Sequence, residues 1–152
     1  MIKCYGGAPK PEKHYIRRPG AYAILLRDGE MLVTRQAAPV PEIQLPGGGI
    51  DKGEHPITAL HREVMEETGW RMALLFRFGT FRRFTFMPEY DIWAEKVCTI
   101  YVGRPTLRMS DPTEPGHEAL WLQPQLAADA LGNPGDRAML KRFLSKTCDS
   151  RQ

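Results

Sequence analysis

The sequence predicts an α/β (α+β) protein in which helices cover both faces of a mixed β-sheet. Three observations predict this class. Two apolar stretches flank Asp28-Gly29, a dipeptide that strongly favours a β-hairpin. Residues 56–68 have the apolar spacing of a helix. Strand-like stretches and two more helical stretches follow, and this mixture of elements favours a sheet with helices packed on it.

Length and composition indicate one ordinary domain over residues 1–152. The chain is 42% hydrophobic and 26% charged, which is typical of a soluble globular protein. No apolar run approaches the roughly 20 residues that span a bilayer, so we expect no membrane association. The net charge of +3 is compatible with an anionic substrate but does not by itself indicate nucleic-acid binding.

The two ends of the chain are expected to be irregular. Residues 1–19 are basic and rich in proline and glycine, which predicts an irregular arm, and residues 147–152 are expected to be a frayed tail. The N-terminal stretch has no apolar segment of the kind found in secretory signals. Cys4, Cys98 and Cys148 are odd in number and widely spaced, so we expect free thiols and a cytoplasmic location.

The strands are predicted from branched and aromatic residues bounded by turn signals. The first two strands meet at Asp28-Gly29, and a later pair meets at a turn near Pro88-Glu89. The third strand is short and leads into Pro46 and three glycines. The predicted strands are residues 21–27, 31–36, 43–45, 72–86, 91–102 and 119–124.

Three helices are predicted from apolar residues at three- and four-residue spacing. Pro56 suits the first position of the main helix and Gly69 suits the residue just after its end, so this helix should span 56–68. Two further helices should begin near residues 124 and 136.

The main helix carries a crowded group of carboxylates. Glu63, Glu66 and Glu67 are three and four residues apart, where each like-charged pair costs about 0.2–0.5 kcal/mol. Glu63 and Glu67 lie beside the apolar stripe instead of opposite it. A solvated acidic face would explain a lone pair of glutamates. This placement suits a hard cation such as Mg²⁺, which binds one or two carboxylates together with waters and phosphates.

The spacing around these glutamates is that of a known motif. From Gly48 to Trp70 the sequence follows the Nudix box, G-x5-E-x7-R-E-U-x-E-E-x-G-U, in which U is a bulky apolar residue. Trp70 departs from the usual aliphatic residue at the last position. Nine specified positions make the motif far more specific than a short glycine motif. The chain therefore resembles the Nudix hydrolase family, and in particular its small MutT-like members.

The resemblance implies a fold, a cofactor and a set of roles. It implies an α/β/α sandwich with a mixed sheet, and hydrolysis of a nucleoside diphosphate linked to another group with Mg²⁺ or Mn²⁺. The implied metal ligands are Glu63, Glu66 and Glu67 together with the carbonyl of Gly47, and Glu66 and Glu67 are also catalytic candidates. The implied structural residues of the motif are Gly48, Gly69 and the ion pair between Glu54 and Arg62.

One further glutamate resembles a family feature outside the box. Several Nudix enzymes carry a loop glutamate ahead of the last strand, and Glu118 stands three residues before Trp121. The resemblance implies that Glu118 is a metal ligand or the general base. A surface glutamate beside a strand is the alternative, and Glu66 is another candidate for the base.

Arginines and aromatic residues alternate between residues 76 and 93. Arg82 and Arg83 could contact phosphates, and Tyr90 could stack on a base, as could Phe84 or Trp93. Aromatic residues in strands more often belong to the core, which is the alternative explanation.

The substrate stays open at this level. A MutT-like enzyme that acts on nucleoside triphosphates, oxidised ones included, is the leading hypothesis. ADP-ribose, another nucleotide sugar or a 5′-triphosphate RNA end is the alternative, so nucleic acid is expected only as a 5′-end substrate. Catalytically silent Nudix domains that sense ligands typically lose box glutamates, whereas this box is complete. The oligomeric state is open, and a dimer is plausible.

Overall fold

Residues 2–150, the part of the chain that the computed structural model describes, form one mixed eight-stranded sheet and three helices. The strands are β1 Lys3–Cys4, β2 Ile16–Arg27, β3 Glu30–Gln36, β4 Glu42–Gln44, β5 Gly47–Gly49, β6 Trp70–Met87, β7 Ile92–Arg108 and β8 His117–Leu122. The helices are α1 Pro56–Thr68, α2 Pro124–Ala130 and α3 Pro134–Asp149. Across the described residues, no helix is both long enough and apolar enough to cross a membrane.

The sheet has the strand order β1-β6-β7-β2-β3-β4, with β5 paired to β2 and β8 paired to β3. The pairs β1–β6 and β2–β7 are parallel, whereas the other pairs are antiparallel. The sheet is therefore mixed, as the sequence predicts.

Alternation along the strands divides the core in two. In β2, Ile24 packs in a cluster with residues of α2 and α3, whereas its neighbours Ala23 and Leu25 pack in a cluster with Leu60 and Val64 of α1. Successive side chains of a strand point to opposite faces, so α1 covers one face and α2 with α3 covers the other. The predicted arrangement of helices on both faces is confirmed.

The first hairpin forms where the sequence predicts it. Asp28 and Gly29 have φ angles of 53° and 80°, and Arg27 pairs with Glu30 across the turn. Two consecutive positive φ angles are the signature of a type I′ turn, whose twist matches that of the flanking strands.

Helix α1 has the predicted bounds. The Nδ1 atom of His55 accepts a hydrogen bond from the amide of Ile57 at 3.1 Å, and Pro56 occupies the first turn. At the other end Gly69 has a φ of 77°, and its amide donates to the carbonyl of Met65. A left-handed glycine just after the last turn ends a helix without strain.

The predicted N-terminal arm is wrong in part. Strand β2 begins at Ile16, five residues before the predicted start, because residues from Ile16 onward pair in register with β7 from Ala94. Lys3 and Cys4 pair with β6 as well. These residues are strands because they form backbone hydrogen bonds with a neighbouring strand. Such pairing cannot be predicted from the composition of residues 1–19.

Other boundaries also differ from the prediction. Strand β8 spans His117–Leu122 instead of 119–124, because residues from His117 onward pair in register with β3. Strands β6 and β7 extend further than predicted, because they pair with each other along their whole length. The three glycines, predicted to follow a strand, form strand β5 on β2. Helix α3 continues through Asp149, so residues 147–149 of the predicted tail are helical, and residues 151–152 lie outside the described residues.

Candidate active site

Strand β5 brings the backbone of the glycines against α1. A Cβ atom at Gly48 would lie 2.5 Å from Cδ of Glu63, so only glycine allows the carboxylate this approach. Gly47 pairs with Tyr22 of β2, and the amide of Ala23 donates to the carbonyl of Pro46 at 2.9 Å. The glycine strand thus forms one wall of a site, and the acidic side of α1 forms the next.

Glu67 is the most buried carboxylate of this helix, with 5% of the residue exposed. Its Oε1 atom accepts a hydrogen bond from the amide of Gly47 at 2.8 Å. Its Oε2 atom lies 3.1 Å from Nδ1 of His117. Burial raises the pKa of Glu67 to about 8, against the effect of the Gly47 hydrogen bond, and the negative charges of Glu63 and Glu114 add to the rise.

Arg62 ties the loop after β5 to α1. Its Nε and Nη2 atoms each donate to Glu54 at 2.9 Å, and Nη2 also donates to the carbonyl of Gly49 at 3.2 Å. Its Nη1 atom donates to Glu63 at 2.9 Å. The hydrogen bonds from Arg62 lower the pKa of Glu54 to about 2. The structure brings the two residues of the predicted ion pair into bidentate contact.

Glu66 anchors the loop between β7 and β8 to the end of α1. Its carbonyl accepts hydrogen bonds from the amides of Thr113 at 2.8 Å and Glu114 at 2.9 Å. The carbonyl of Gly69 accepts from the amide of Met109 at 2.8 Å. The Glu66 side chain is 35% exposed and lies 3.4 Å from Nη1 of Arg62. The loop is therefore held over the acidic side of the helix.

These groups surround a cleft of about 410 Å³. One end is acidic and contains Glu63, Glu67 and Glu114, together with His117. The remaining lining is polar and carries charges of both signs, and it includes Glu42, Gln44, Arg83, Glu89, Lys96, Asn133 and Asp136. Burial raises the pKa of Asp136 to about 7.

The structure does not bring Glu118 to this cleft. Glu118 is in register with Arg35 of β3, lies 3.8 Å from that guanidinium, and has a side chain that is 62% exposed. Successive residues of β8 point to opposite faces, so His117 points toward α1 and Glu118 points away from it. Glu114, four residues earlier in the loop before β8, lines the cleft instead.

Sequence reasoning missed Glu114 and His117. Both belong to the stretch DPTEPGHE that drew attention to Glu118, and the stretch itself was the available signal. The register of β8 on β3 selects between the neighbours, and that register is a long-range property of the sheet.

The three weakly predicted substrate residues are separated. Arg83 lines the cleft. Arg82 points to the opposite face of β6, where it lies 3.7 Å from Glu95, so it is misplaced for the predicted role. Tyr90 lies at a second, smaller cavity beside the cleft, with the guanidinium of Arg18 4.8 Å from its ring centre.

The acidic end of the cleft fits a hard divalent cation. Its donors are oxygens: the carboxylates of Glu63, Glu67 and Glu114 and the carbonyl of Gly47, the donor type that Mg²⁺ and Mn²⁺ prefer. Glu66, the third predicted carboxylate ligand, does not line the cleft and lies beside Arg62 instead. The bare backbone at Gly48 leaves the approach free of side chains. Among residues 2–150, however, no three acidic, histidine or cysteine side chains already converge as a metal cluster.

The fold, with this acidic helix packed on a mixed sheet, is that of a Nudix domain. The sequence model of the NUDIX domain matches residues 16–143, so the chain belongs to the Nudix family. The predicted family is confirmed.

Named relatives share part of this chain. A provisionally named 8-oxo-dGTP diphosphatase of Bacillus subtilis is 35% identical over 74 residues, which are 49% of this chain and 50% of that protein. An RNA pyrophosphohydrolase of Rhodospirillum rubrum is 49% identical over 47 residues, which are 31% of this chain and 28% of that protein. The chain thus spans half or less of the length of these curated relatives.

The fold has solved counterparts. The crystal structure of the MutT protein from Methanosarcina mazei Go1 superposes with a TM-score of 0.70 at 21% identity, over 88% of this chain and 96% of that one. Identity at this level supports the shared fold alone.

Proposed function

We propose that the protein hydrolyses a diphosphate linkage in a nucleoside di- or triphosphate derivative, with Mg²⁺ or Mn²⁺ as cofactor. The observation that carries the proposal is that Glu63, Glu67 and Glu114 all line one cleft. Carboxylates crowded in this way repel one another unless a cation lies among them.

The residues of the box hold the cofactor. Glu63, Glu66, Glu67 and the carbonyl of Gly47 are its proposed ligands. When bound, such a cation polarises a phosphoryl oxygen and lowers the pKa of water. Arg62, already committed to Glu54, keeps the loop after β5 in place beside these ligands.

Glu114 takes the role that the resemblance implies for Glu118. It is an exposed loop residue whose amide is fixed to the carbonyl of Glu66, so its carboxylate faces the proposed ligands with freedom to accept a proton from water. Glu66 is the competing candidate for this role.

The polar end of the cleft suits a nucleobase. Asn133 uses its Oδ1 atom to cap α3 through the amide of Gly135 at 2.8 Å, which leaves its NH₂ group as a donor. Asp136 is buried beside it, and with a pKa of about 7 it can present an acceptor or a donor. A nucleobase edge offers both types of group, so this pair suits the base of a nucleoside triphosphate, and we propose a purine, oxidised purines included.

A substrate panel tests the proposal. Purified protein with Mg²⁺ is given dGTP, 8-oxo-dGTP, ADP-ribose, a nucleotide sugar and 5′-triphosphate RNA, and phosphate, pyrophosphate and nucleoside monophosphate are measured separately. Fast release of pyrophosphate and 8-oxo-dGMP is the expected result. Preferred hydrolysis of ADP-ribose or a nucleotide sugar would contradict the substrate assignment, and no Mg²⁺-dependent product from any of them would contradict the function.

A 5′-triphosphate RNA end is the second candidate. The similarity to an RNA pyrophosphohydrolase favours it, as do the cations Arg83 and Lys96 in the cleft. For the protein in the cell we propose a cytoplasmic location, which the exposed free thiols of Cys4 and Cys148 support. A dimer stays part of the proposal, and sedimentation would test it.

A further inference from the structure

Three cations form a row across three strands. Arg83 of β6 is in register with Lys96 of β7, and Lys96 is in register with Arg18 of β2. Residues in register on neighbouring strands project from the same face of a sheet. Arg83 and Lys96 line the cleft, whereas Lys96 and Arg18 line the smaller cavity. We call these three residues the cationic row.

The opposite face of the same strands is arranged differently. There Arg17 of β2 is in register with Glu95 of β7, and Arg82 of β6 lies 3.7 Å from the same carboxylate. One acid therefore stands between two cations on that face. The cationic row has no acid within it, although like charges side by side on a sheet are destabilising.

Several carboxylates line the same cleft, Glu42 and Glu89 among them, but among residues 2–150 no ion pair joins a carboxylate to the cationic row. Asp136 faces Arg83 and Lys96, and it is buried with its pKa raised toward neutrality. Of the carboxylates at the smaller cavity, Asp51 and Glu63 both lie within ion-pair distance of Arg62, at 3.6 and 2.9 Å. Glu89, in the turn after β6, is the third.

The smaller cavity continues the cleft past the proposed metal ligands. It has a volume of about 180 Å³ and shares Gly49, Glu63 and Lys96 with the cleft. Tyr90 and Arg18, stacked at 4.8 Å, form its outer side. A substrate whose phosphates lie at the acidic end can therefore extend a further group into this cavity.

We propose that the cationic row is a phosphate-binding track for the part of the substrate beyond the hydrolysed linkage, with its outer end in the smaller cavity. The proposal rests on the proposed function and adds that the substrate carries a negative phosphate group on that side. Two sources share this chemistry: the terminal phosphate of a nucleoside triphosphate, and the phosphodiester of a second nucleotide.

Direct binding tests the track without any turnover of nucleotide. Inorganic tripolyphosphate is titrated calorimetrically, with Mg²⁺ at low salt, into the wild type and into Arg18→Gln, Lys96→Gln and Arg17→Gln. Loss of a charge-assisted hydrogen bond should raise Kd about tenfold or more for the first two variants. Arg17→Gln removes the same charge from the other face and should change Kd less than about twofold.

An equal rise of Kd in Arg17→Gln would overturn the proposal, because it would mean that overall charge alone attracts the anion. Unchanged Kd in both Arg18→Gln and Lys96→Gln would overturn it too. Thermal unfolding is measured on the same samples. Because Lys96→Gln relieves like-charge repulsion, its Tm should stay level or rise, and a fall of several degrees would indicate a structural role instead.

Kinetics then distinguish the two sources. The substrates share one nucleoside: a nucleoside diphosphate hexose, the nucleoside triphosphate, and a dinucleotide with a 5′-triphosphate. For each substrate, kcat/KM of Arg18→Gln is compared with that of the wild type. The loss should be about tenfold larger than the loss on the hexose substrate when the phosphate of the substrate reaches the cavity. An effect on the triphosphate identifies the terminal phosphate, and an effect on the dinucleotide alone identifies the phosphodiester.

Equal losses on all three substrates would overturn the track. If none of the three is hydrolysed, the proposed function fails, whereas the tripolyphosphate titration still decides whether the row binds phosphate.

Discussion

His117 places its Nδ1 atom 3.1 Å from Oε2 of Glu67, and the two side chains are only 10% and 7% exposed. The same nitrogen lies 2.9 Å from Oγ1 of Thr34, which is fully buried. Burial lowers the pKa of His117, and its Nδ1 atom lies within hydrogen-bond distance of both of these oxygens. The amide of Gly47 in β5 donates to Oε1 of Glu67, and His117 in β8 contacts Oε2. Two strands therefore position the two oxygens of this carboxyl group.

Replacing His117 should therefore loosen a proposed metal ligand. We expect His117→Ala to weaken Mn²⁺ binding by about 10–100-fold, as for other residues that orient ligands without touching the metal. Mn²⁺ titration followed by electron paramagnetic resonance measures this. Glu118→Gln alters the next residue of β8 on the other face and is the matched control. An unchanged Mn²⁺ affinity in His117→Ala would show that Glu67 needs no support from β8.

Glu67→Gln should nearly abolish turnover while the metal-free protein gains stability. The new side-chain amide keeps an acceptor for the backbone amide of Gly47 and, above the Glu67 pKa of about 8, removes a buried charge beside Glu63, so the gain in stability should be largest at that alkaline pH. Turnover with saturating Mg²⁺ and thermal unfolding in chelator are measured on one preparation. Full activity in this variant, or in wild type with excess chelator, would contradict the metal assignment.

Arg62→Ala should lower the Tm and weaken metal binding together. The change leaves Glu54 and Glu63 without the guanidinium that contacts both. Arg62→Lys is the matched control, because it keeps the charge but not the fork that holds Glu54 at two atoms. A wild-type Tm with lost turnover would instead indicate a catalytic arginine.

Asp136 should make the metal-free protein less stable as pH rises. Its folded pKa of about 7 lies above the ordinary value of 3.8, so the folded state binds the extra proton between these limits. The contribution of Asp136 to stability is then greatest below about pH 4 and falls by up to about 1.4 kcal/mol per pH unit toward pH 7. In Asp136→Asn this component of the fall should disappear. Chemical denaturation in chelator at several pH values measures it, and parallel curves for the two proteins would refute the assignment.

Glu114→Gln should lower kcat by roughly 10²–10⁴-fold with little change in KM, the range typical of a general base. Glu118→Gln should keep near-normal kcat, because that side chain lies on the other face with Arg35. Glu66→Gln is measured alongside. A large loss of kcat in Glu66→Gln with a normal value in Glu114→Gln would move the base to the helix.

Local signals predicted the parts of the site that lie within one segment. The bounds of α1 follow from Pro56 and Gly69, and the contact between Glu54 and Arg62 was expected from the resemblance of the box to its family. The contributions of β8 could not be predicted in this way. Whether His117 or Glu118 faces α1 depends on a register with β3, more than eighty residues away in sequence.

Strand β5, formed by the three glycines, is a second element that local sequence signals could not predict. Three consecutive glycines have poor strand propensity, so composition argues for a loop. Tertiary context overrides it, because Gly47 and its neighbours complete backbone hydrogen bonds to Tyr22 and the residues before it. The cationic row was equally hidden, since Arg18, Lys96 and Arg83 become neighbours only through strand pairing.

The loop that carries Glu114 is attached to α1 by main-chain atoms: the amides of Met109, Thr113 and Glu114 donate to the carbonyls of Gly69 and Glu66. Because these hydrogen bonds use main-chain atoms, they place little constraint on the side chains of the loop. Its residues are free to diverge, or to be exchanged by an engineer, while the position of the loop over the helix stays constant. The side chains that line the cleft can thus be changed by a few substitutions between residues 109 and 116, while the Nudix box stays unchanged.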